Sequence, residues 1–317
     1  MTKRIRRILV AVDLSEPRDA AFDLALLMAR RWSSELYLFH TRSPRPVSRF
    51  AIGEGLDLER REMERSHSRA LVRSANEEGV PAQIVSAEGD PARAMAAHAH
   101  LVMADLIVVG RDFGSSRLWR TSRVAATVGR SAPVPVLIVP SRKAAPSSDG
   151  MPFTKVVVAV DFTVASVVAL RVATDVIAQG NGRGKAVHAL SYASPMVFSG
   201  SEVSSVSDEL RGQLAQAEAR LHGAIQAGTS RLVEPRVVAG AAGQAILDVA
   251  TDVDADLVVM GVSRRNRFDE LFFGSTFRRV VRRSLRPILA VPVAAGASRW
   301  AGASPAHAVS EGDLRAA

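Results

Sequence analysis

Apolar runs of strand length alternate with longer amphipathic stretches through most of the 317-residue chain. The apolar runs predict strands near residues 7–13, 35–41, 81–87, 105–110, 135–139, 155–161, 185–191, 232–239, 256–261 and 287–292. The amphipathic stretches predict helices near residues 16–32, 55–79, 90–103, 121–131, 164–179, 202–228, 241–253 and 274–285. Apolar strands that alternate with helices are typical of a parallel sheet covered by helices on both faces.

The pattern occurs twice. ILVAVD at 8–13 returns as VVVAVD at 156–161, LIVVG at 106–110 as LVVMG at 257–261, and VLIVP at 136–140 as ILAVP at 288–292. The offsets are 148, 151 and 152 residues, which is the size of a whole domain. The chain is therefore predicted to contain two tandem doubly wound α/β domains of one Rossmann-like kind.

Composition divides the chain into four parts. The first domain is assigned to residues 1–140 and the second to 153–293. Residues 141–152 are polar, with glycine and two prolines, and are predicted to be a linker. Residues 294–317 are rich in alanine, glycine and serine without periodicity, and are predicted to be a disordered tail.

Helix-capping residues stand at two predicted helix starts. Ser15 precedes Pro17 at the start of the first helix, and Asp90 precedes Pro91 at the start of the third. A cap residue followed by a proline suits the first turn of a helix.

Charge and cysteine content narrow the function classes. The net charge is +9, which favours an anionic partner or, alternatively, a well-solvated arginine-rich surface. Aromatic residues make up 5% of the chain and do not interleave with basic ones, so nucleic-acid binding is not indicated. The absence of cysteine suits a cytoplasmic protein. We expect neither a signal peptide nor a membrane span, because the apolar runs are too short.

Two strand ends carry polar or glycine residues in both copies. Asp13 and Asp161 follow the first strand of each domain, and Gly110 and Gly261 close the fourth. In an open parallel sheet, ligands bind at the carboxyl ends of strands where the strand order reverses. An aspartate there is suited to accept hydrogen bonds from ribose hydroxyls, or alternatively to cap a helix. Glycine lets the backbone approach a ligand closely.

The second copy adds a candidate anion site. Gly274, Ser275 and Thr276 stand at the predicted start of the last helix. They would present backbone N–H groups, two hydroxyls and the positive end of the helix dipole to a phosphate. The alternative is ordinary capping of the helix by Ser275 or Thr276.

Both halves resemble the universal stress protein domain. Nucleotide-binding members of that family carry a glycine, two residues, a second glycine, nine residues, and then Gly-Ser or Gly-Thr, a spacing that Gly261, Gly274 and Ser275 match. Arg264 stands in place of the second glycine. Asp161 matches the family's strand-1 aspartate, and Met260 matches the apolar residue before its strand-4 glycine.

The resemblance implies five-stranded sheets of order 3-2-1-4-5. It also implies adenine and ribose near Asp161 and Met260, phosphates along residues 261–276, and Mg²⁺ accompanying the phosphates. Arg264 either alters the loop or pairs with a phosphate through its guanidinium. Family members often form dimers, so the two halves are expected to pair within the chain or the chain to form a homodimer.

The first copy departs further from the family pattern. Asp13 and Gly110 are present, but Thr121 stands where Gly274 stands in the second copy, with Ser122 matching Ser275. The intervening loop is two residues shorter and Gly114 is displaced by one position. We therefore expect the nucleotide site in the second domain, while Asp13, Gly110 and Ser122 form a degenerate counterpart.

The sequence contains no catalytic constellation. It has no Walker A sequence, no nucleophile elbow, no H-E-x-x-H motif and no identifiable nucleophile with a general base. The sequence thus predicts a stress-response protein that binds ATP or a related adenine nucleotide and is not an enzyme. One alternative is an interaction scaffold that binds a protein partner and no nucleotide, and a weaker one is a slow ATPase.

Overall fold

We describe a computed structural model of the chain. It describes residues 5–14, 18–42, 54–111, 121–140, 153–190, 200–227, 232–263 and 273–293. For 42, 54–60, 121–123, 200–210, 227 and 273–274 only the backbone is described. The predicted linker, the predicted tail and Ser15 lie outside these ranges.

Each half alternates strands with helices, as predicted. The first half contains β1 (Arg7–Ala11), α1 (Ala20–Trp32), β2 (Glu35–Arg42), α2 (Glu54–Glu77), β3 (Ala82–Glu88), α3 (Pro91–Leu101), β4 (Leu106–Gly110), α4 (Thr121–Ser131) and β5 (Val136–Val139). The second contains β6 (Lys155–Ala159), α5 (Val164–Gln179), β7 (Arg183–Leu190), α6 (Gly200–Ala227), β8 (Val233–Ala239), α7 (Ala242–Asp252), β9 (Leu257–Val262), α8 (Phe273–Arg283) and β10 (Ile288–Pro292).

The strands form one ten-stranded sheet of order β3-β2-β1-β4-β5-β10-β9-β6-β7-β8. Within each half the strands are parallel and follow the expected order 3-2-1-4-5. The halves join where β5 and β10 pair antiparallel, with Leu137 opposite Leu289. These two leucines are equivalent residues of the repeat, so the junction has the geometry of a two-fold dimer contact built within one chain.

Two apolar layers cover the faces of this sheet. One contains buried residues of α1 and α5, and the other contains buried residues of α3, α4, α7 and α8. At the junction, Gly129 of α4 packs against Phe277 of α8: a Cβ on Gly129 would lie 3.0 Å from the Phe277 ring. Both layers therefore continue from one domain into the other, and the halves share their core.

The first helix begins later than its sequence suggested. The prediction placed its start at residue 16 behind Ser15, but α1 begins at Ala20 and its cap is Asp19, whose carboxylate accepts the Phe22 N–H at 2.7 Å. Either residue has capping chemistry, and the sequence does not show which one the sheet places at the helix start. The cap at Asp90 is confirmed, since its carboxylate accepts the Arg93 N–H at 2.9 Å.

An aspartate at the start of β4 forms hydrogen bonds with the start of β1, and its counterpart at the start of β9 forms them with the start of β6. Asp105 accepts the N–H groups of Arg6 and Arg7 at 2.9 and 3.1 Å. Asp256 accepts the Thr154 N–H and hydroxyl at 2.7 and 3.0 Å. Burial raises the pKa of Asp256, and the hydrogen bonds from Thr154 oppose that shift. These aspartates lie at the amino ends of the strands, away from the candidate site, and are structural.

None of the helices in the described ranges has both the length and the apolar character needed to cross a membrane.

Candidate functional site

The candidate site of the second domain lies where its strand order reverses. Residues Ala159 of β6 and Met260 of β9 are partners in the parallel register, so Asp161 and Gly261 leave the sheet at the same edge. The chain then enters α5 from β6, and α8 follows β9. The structure thus brings the strand-1 aspartate and the strand-4 glycine together, as the sequence predicted.

Asp161 is exposed and forms a tight turn with Thr163. Its Oδ1 accepts the Thr163 N–H at 3.1 Å and the Thr163 hydroxyl at 2.6 Å. Thr163, not Asp161, caps α5, and its side-chain oxygen accepts the Ser166 N–H. The second carboxylate oxygen of Asp161 has no hydrogen-bond partner within the described part of the chain. It is therefore an acceptor directed away from the turn.

Gly261 serves the packing of α5. A Cβ at this position would lie 2.2 Å from the carbonyl oxygen of Ala165 and 2.7 Å from the nitrogen of Ser166. The space of the missing side chain is therefore filled by the first turn of α5, and the approach of a nucleotide to the Gly261 backbone stays a prediction. The consequence is that the amino end of α5, with its positive dipole, lies against the end of β9.

Met260 is 5% exposed and packs in the apolar layer with Phe277 and Val280. The side chain expected next to adenine is therefore part of the core. Any contact it makes with a ligand is limited to the edge of the side chain.

The amino end of α8 carries the predicted phosphate residues. Because α8 begins at Phe273, Gly274, Ser275 and Thr276 all lie in its first turn. The N–H groups of a first turn have no partner inside the helix, so this turn is suited to an anion. Ser275 is exposed and Thr276 is half-buried. Arg264 lies outside the described residues.

The end of β4, which corresponds to the end of β9, makes different contacts in the first domain. Gly110 ends β4 beside Val139 of β5, and Ser122 lies in the first turn of α4, where only its backbone is described. Arg111, the residue after Gly110, donates from its guanidinium to the Ser284 carbonyl across the junction at 2.7 Å. The end of β4 therefore contributes to the contact between the domains.

The first domain also carries more negative charge at this edge. Burial raises the pKa of Asp19, and the neighbouring carboxylates of Asp23 and Asp13 raise it further, against the hydrogen bond from Phe22. Asp23 forms an ion pair with Arg18. At the offset of 148 residues, the second domain has Val167 and Arg171 in place of Asp19 and Asp23. Among the described residues, the first domain thus has two acidic side chains, Asp19 and Asp23, at positions that are not acidic in the second domain.

The raised pKa of Asp19 predicts a pH dependence of stability. A carboxyl group whose pKa is raised on folding contributes most below its ordinary pKa, and the contribution is lost as pH rises through the raised value. Compared with Asp19→Asn, which keeps a capping oxygen, the wild type should lose stability as pH rises from the ordinary pKa of an aspartate through the raised pKa of Asp19. Denaturant unfolding across this range tests it, and parallel curves for the two proteins would contradict it. Asp19→Ala should lose about 1 kcal/mol at every pH through loss of the cap.

The outer face of α8 is basic. Phe277, Val280 and Val281 are buried, while the arginines at 278, 279, 282 and 283 are exposed. The stem of Arg279 packs over Gly243 of α7.

Within the described ranges, no group of three or more histidine, aspartate or glutamate side chains could hold a metal ion.

Sequence reasoning missed three residues in the neighbourhood of Asp161. Phe162 follows Asp161 directly, and its ring contacts His188 of β7 and Arg220 of α6. The rings of Phe162 and His188 are 4.5 Å apart, and the Arg220 guanidinium lies 4.4 Å from the Phe162 centroid. The sequence offers one weak indication of this cluster, because phenylalanine stands at 162 where the first copy has Leu14.

These features define a tandem, doubly wound α/β protein with polar residues and helix amino ends gathered at its strand ends. The chain belongs to the universal stress protein family, whose model matches residues 4–140 and again residues 152–292. The predicted family is thereby confirmed over both halves.

Solved structures share the fold over almost the whole chain. A universal stress protein from Archaeoglobus fulgidus DSM 4304 is 19% identical with a TM-score of 0.65, covering 90% of this chain and 96% of that one. A functionally unknown protein from Pseudomonas aeruginosa PAO1 is 18% identical with a TM-score of 0.61, covering 92% of this chain and 95% of that one. At these identities the likeness concerns the fold. No curated protein matches the chain.

Proposed function

We propose that this protein binds ATP or a related adenine nucleotide in its second domain and acts in the cytoplasm as a nucleotide-responsive stress protein. The observation that carries the proposal is the contrast between the two strand-1 aspartates. Asp161 is exposed and one of its carboxylate oxygens has no hydrogen-bond partner in the described part of the chain, whereas Asp13 lies near the carboxylate of Asp19.

The cleft suits the two ends of a nucleotide. The outward oxygen of Asp161 is an acceptor for ribose hydroxyls. Phosphates would lie toward the first turn of α8, which carries Gly274, Ser275 and Thr276 at the positive end of the helix dipole. Mg²⁺ would be held mainly by phosphate oxygens and water, since it needs few protein ligands in such sites.

The arrangement supports binding rather than turnover. Asp161 is committed on one side to Thr163, and the described cleft holds no histidine or second carboxylate paired with a nucleophile. We therefore propose a regulator or protector that is not a dedicated enzyme.

The test begins with protein purified natively and then denatured. The released small molecules are identified by chromatography and mass, and binding of labelled ATP with Mg²⁺ is measured by equilibrium dialysis. We expect ATP or ADP to be released, and one saturable site per chain. Finding neither would overturn the proposal and favour a scaffold that binds a protein partner.

Gly274→Asp assigns the phosphate end. An aspartate in the first turn stabilises a helix but places a negative charge where the phosphates would lie, so the variant should fold and lose ATP. Gly274→Asn is the matched control, because it has the same size without the charge. Equal ATP binding by both variants would remove the first turn of α8 from the site.

A further inference from the structure

The backbone after Asp161 has a conformation that its counterpart in the first domain lacks. Among the described non-glycine residues, those with positive φ lie in equivalent places of the two domains, with one exception: Ser33 with Asn181, Met103 with Asp254, and Phe162 alone. Phe162 has a φ of 61°, whereas its counterpart Leu14 does not have a positive φ. A bulky residue rarely adopts this left-handed region, so its surroundings must hold it there.

Two side chains hold the Phe162 ring. His188 packs against one side, with ring centroids 4.5 Å apart, and is itself fixed by a 2.8 Å contact between its Nδ1 and the Val160 carbonyl. The Arg220 guanidinium lies 4.4 Å from the ring centroid. An aromatic pair and a cation over the ring face each stabilise the ring where it lies, and together they oppose the backbone strain.

In the first domain, the residue after the strand-1 aspartate is held by different contacts. Leu14 is 4% exposed in the core, and its carbonyl contacts the Nδ1 of His67 from α2 at 2.7 Å. The long helix of each domain therefore reaches the residue after the strand-1 aspartate. In the first domain it contacts the backbone, and in the second it contacts an aromatic ring.

The left-handed turn at Phe162 sets the direction of the Asp161 carboxylate. It folds the chain back so that the Thr163 N–H and hydroxyl both reach Oδ1, at 3.1 and 2.6 Å. This fixes one oxygen and leaves the other directed outward. We propose that Phe162, clamped between His188 and Arg220, is a positioning residue that aims Asp161 at a ribose hydroxyl and thereby selects ribonucleotides over deoxyribonucleotides.

This inference rests on the proposed function, so its test uses selectivity in addition to affinity. The dissociation constants of ATP, 2′-deoxy-ATP and 3′-deoxy-ATP are measured for the full-length protein. The wild type should prefer ATP over at least one deoxy analogue by about tenfold, the effect of losing one hydrogen bond to a charged group. In Arg220→Met the preference should fall to near unity, because the clamp is lost while the affinity for the deoxy analogue is kept.

Two controls separate positioning from general damage. Arg220→Lys keeps a cation over the ring and should retain most of the preference. Arg183→Met removes an arginine at the start of β7, away from Phe162, and should retain the whole preference for ATP. A merely structural defect would weaken ATP and its deoxy analogues equally, and that result would overturn the inference.

A nucleotide-free measurement keeps the two proposals distinguishable. In Arg220→Met the Thr163 amide should exchange with solvent faster than in the wild type, because its bond to Asp161 depends on the turn. Unchanged exchange together with unchanged selectivity overturns the positioning role alone. A wild type that binds no nucleotide overturns the proposed function, and the selectivity role with it.

Discussion

Gly261→Ala is expected to destabilise the protein by about 3 kcal/mol, at the upper end for adding one methyl group to a packed interior. The added Cβ would lie 2.2 Å from the Ala165 carbonyl oxygen and 2.3 Å from its carbon. These are backbone atoms in the first turn of α5, so no side-chain rotation relieves the clash and the helix must move. Thermal unfolding followed by circular dichroism should show a midpoint lower by roughly 5–10 °C.

Gly212→Ala is the matched control for Gly261→Ala. Gly212 lies in α6, and a Cβ there would meet nothing within 4 Å. Alanine in a helix is favoured over glycine by about 0.5–1 kcal/mol, so this variant should be slightly more stable than the wild type. If Gly261→Ala unfolds at the wild-type temperature, α5 does not rest on the end of β9 as described.

The expected loss of stability in Gly261→Ala gives this glycine a role in packing. The sequence suggests that Gly261 admits a nucleotide to the backbone, because glycine at a strand end is compatible with either a ligand or a packed helix. The structure shows that the first turn of α5 fills the space a side chain at 261 would need. Loss of ATP binding in Gly261→Ala would therefore follow from displacement of α5, and Asp161 is the better residue for testing the site.

Repetition made the fold predictable. Each domain supplied a second copy of every strand and helix, and α4 and α5 begin and end at the predicted residues 121–131 and 164–179. The continuous sheet was not predicted, because pairing of β5 with β10 joins two edge strands and no local pattern specifies an edge partner. Similarly, Ala-Asp-Leu is repeated at Asp105 and Asp256, but the hydrogen bonds of these aspartates depend on the register of neighbouring strands.

The site was predictable in its location and less so in its detail. Strand ends with recurring aspartate and glycine identify a cleft because parallel strands end at one edge. The conformation of Phe162 could not be read from sequence, since a bulky residue with positive φ contradicts local preference and is held by distant residues of β7 and α6. The acidic character of the first domain likewise depends on how α1 is placed, which brings Asp19 near Asp13.

Asp161→Ala is expected to weaken ATP binding by about 10- to 100-fold, while Asp13→Ala leaves it unchanged. A hydroxyl bound to a charged acceptor contributes about 1.5–3 kcal/mol, which corresponds to that range of affinity. Both aspartates follow the first strand of their domains, so the pair differs chiefly in surroundings. Titration calorimetry on the two variants and the wild type gives the affinity and the number of sites.

Asp161→Asn separates the turn from the charge. Asparagine forms the same kind of turn through its side-chain oxygen, so the Thr163 contacts should remain while the negative acceptor is lost. We expect this variant to bind ATP more weakly than the wild type and more tightly than Asp161→Ala. If the Asp13 and Asp161 variants lose equal affinity, both domains bind nucleotide, and the carboxylates around Asp19 do not exclude a phosphate from the first domain.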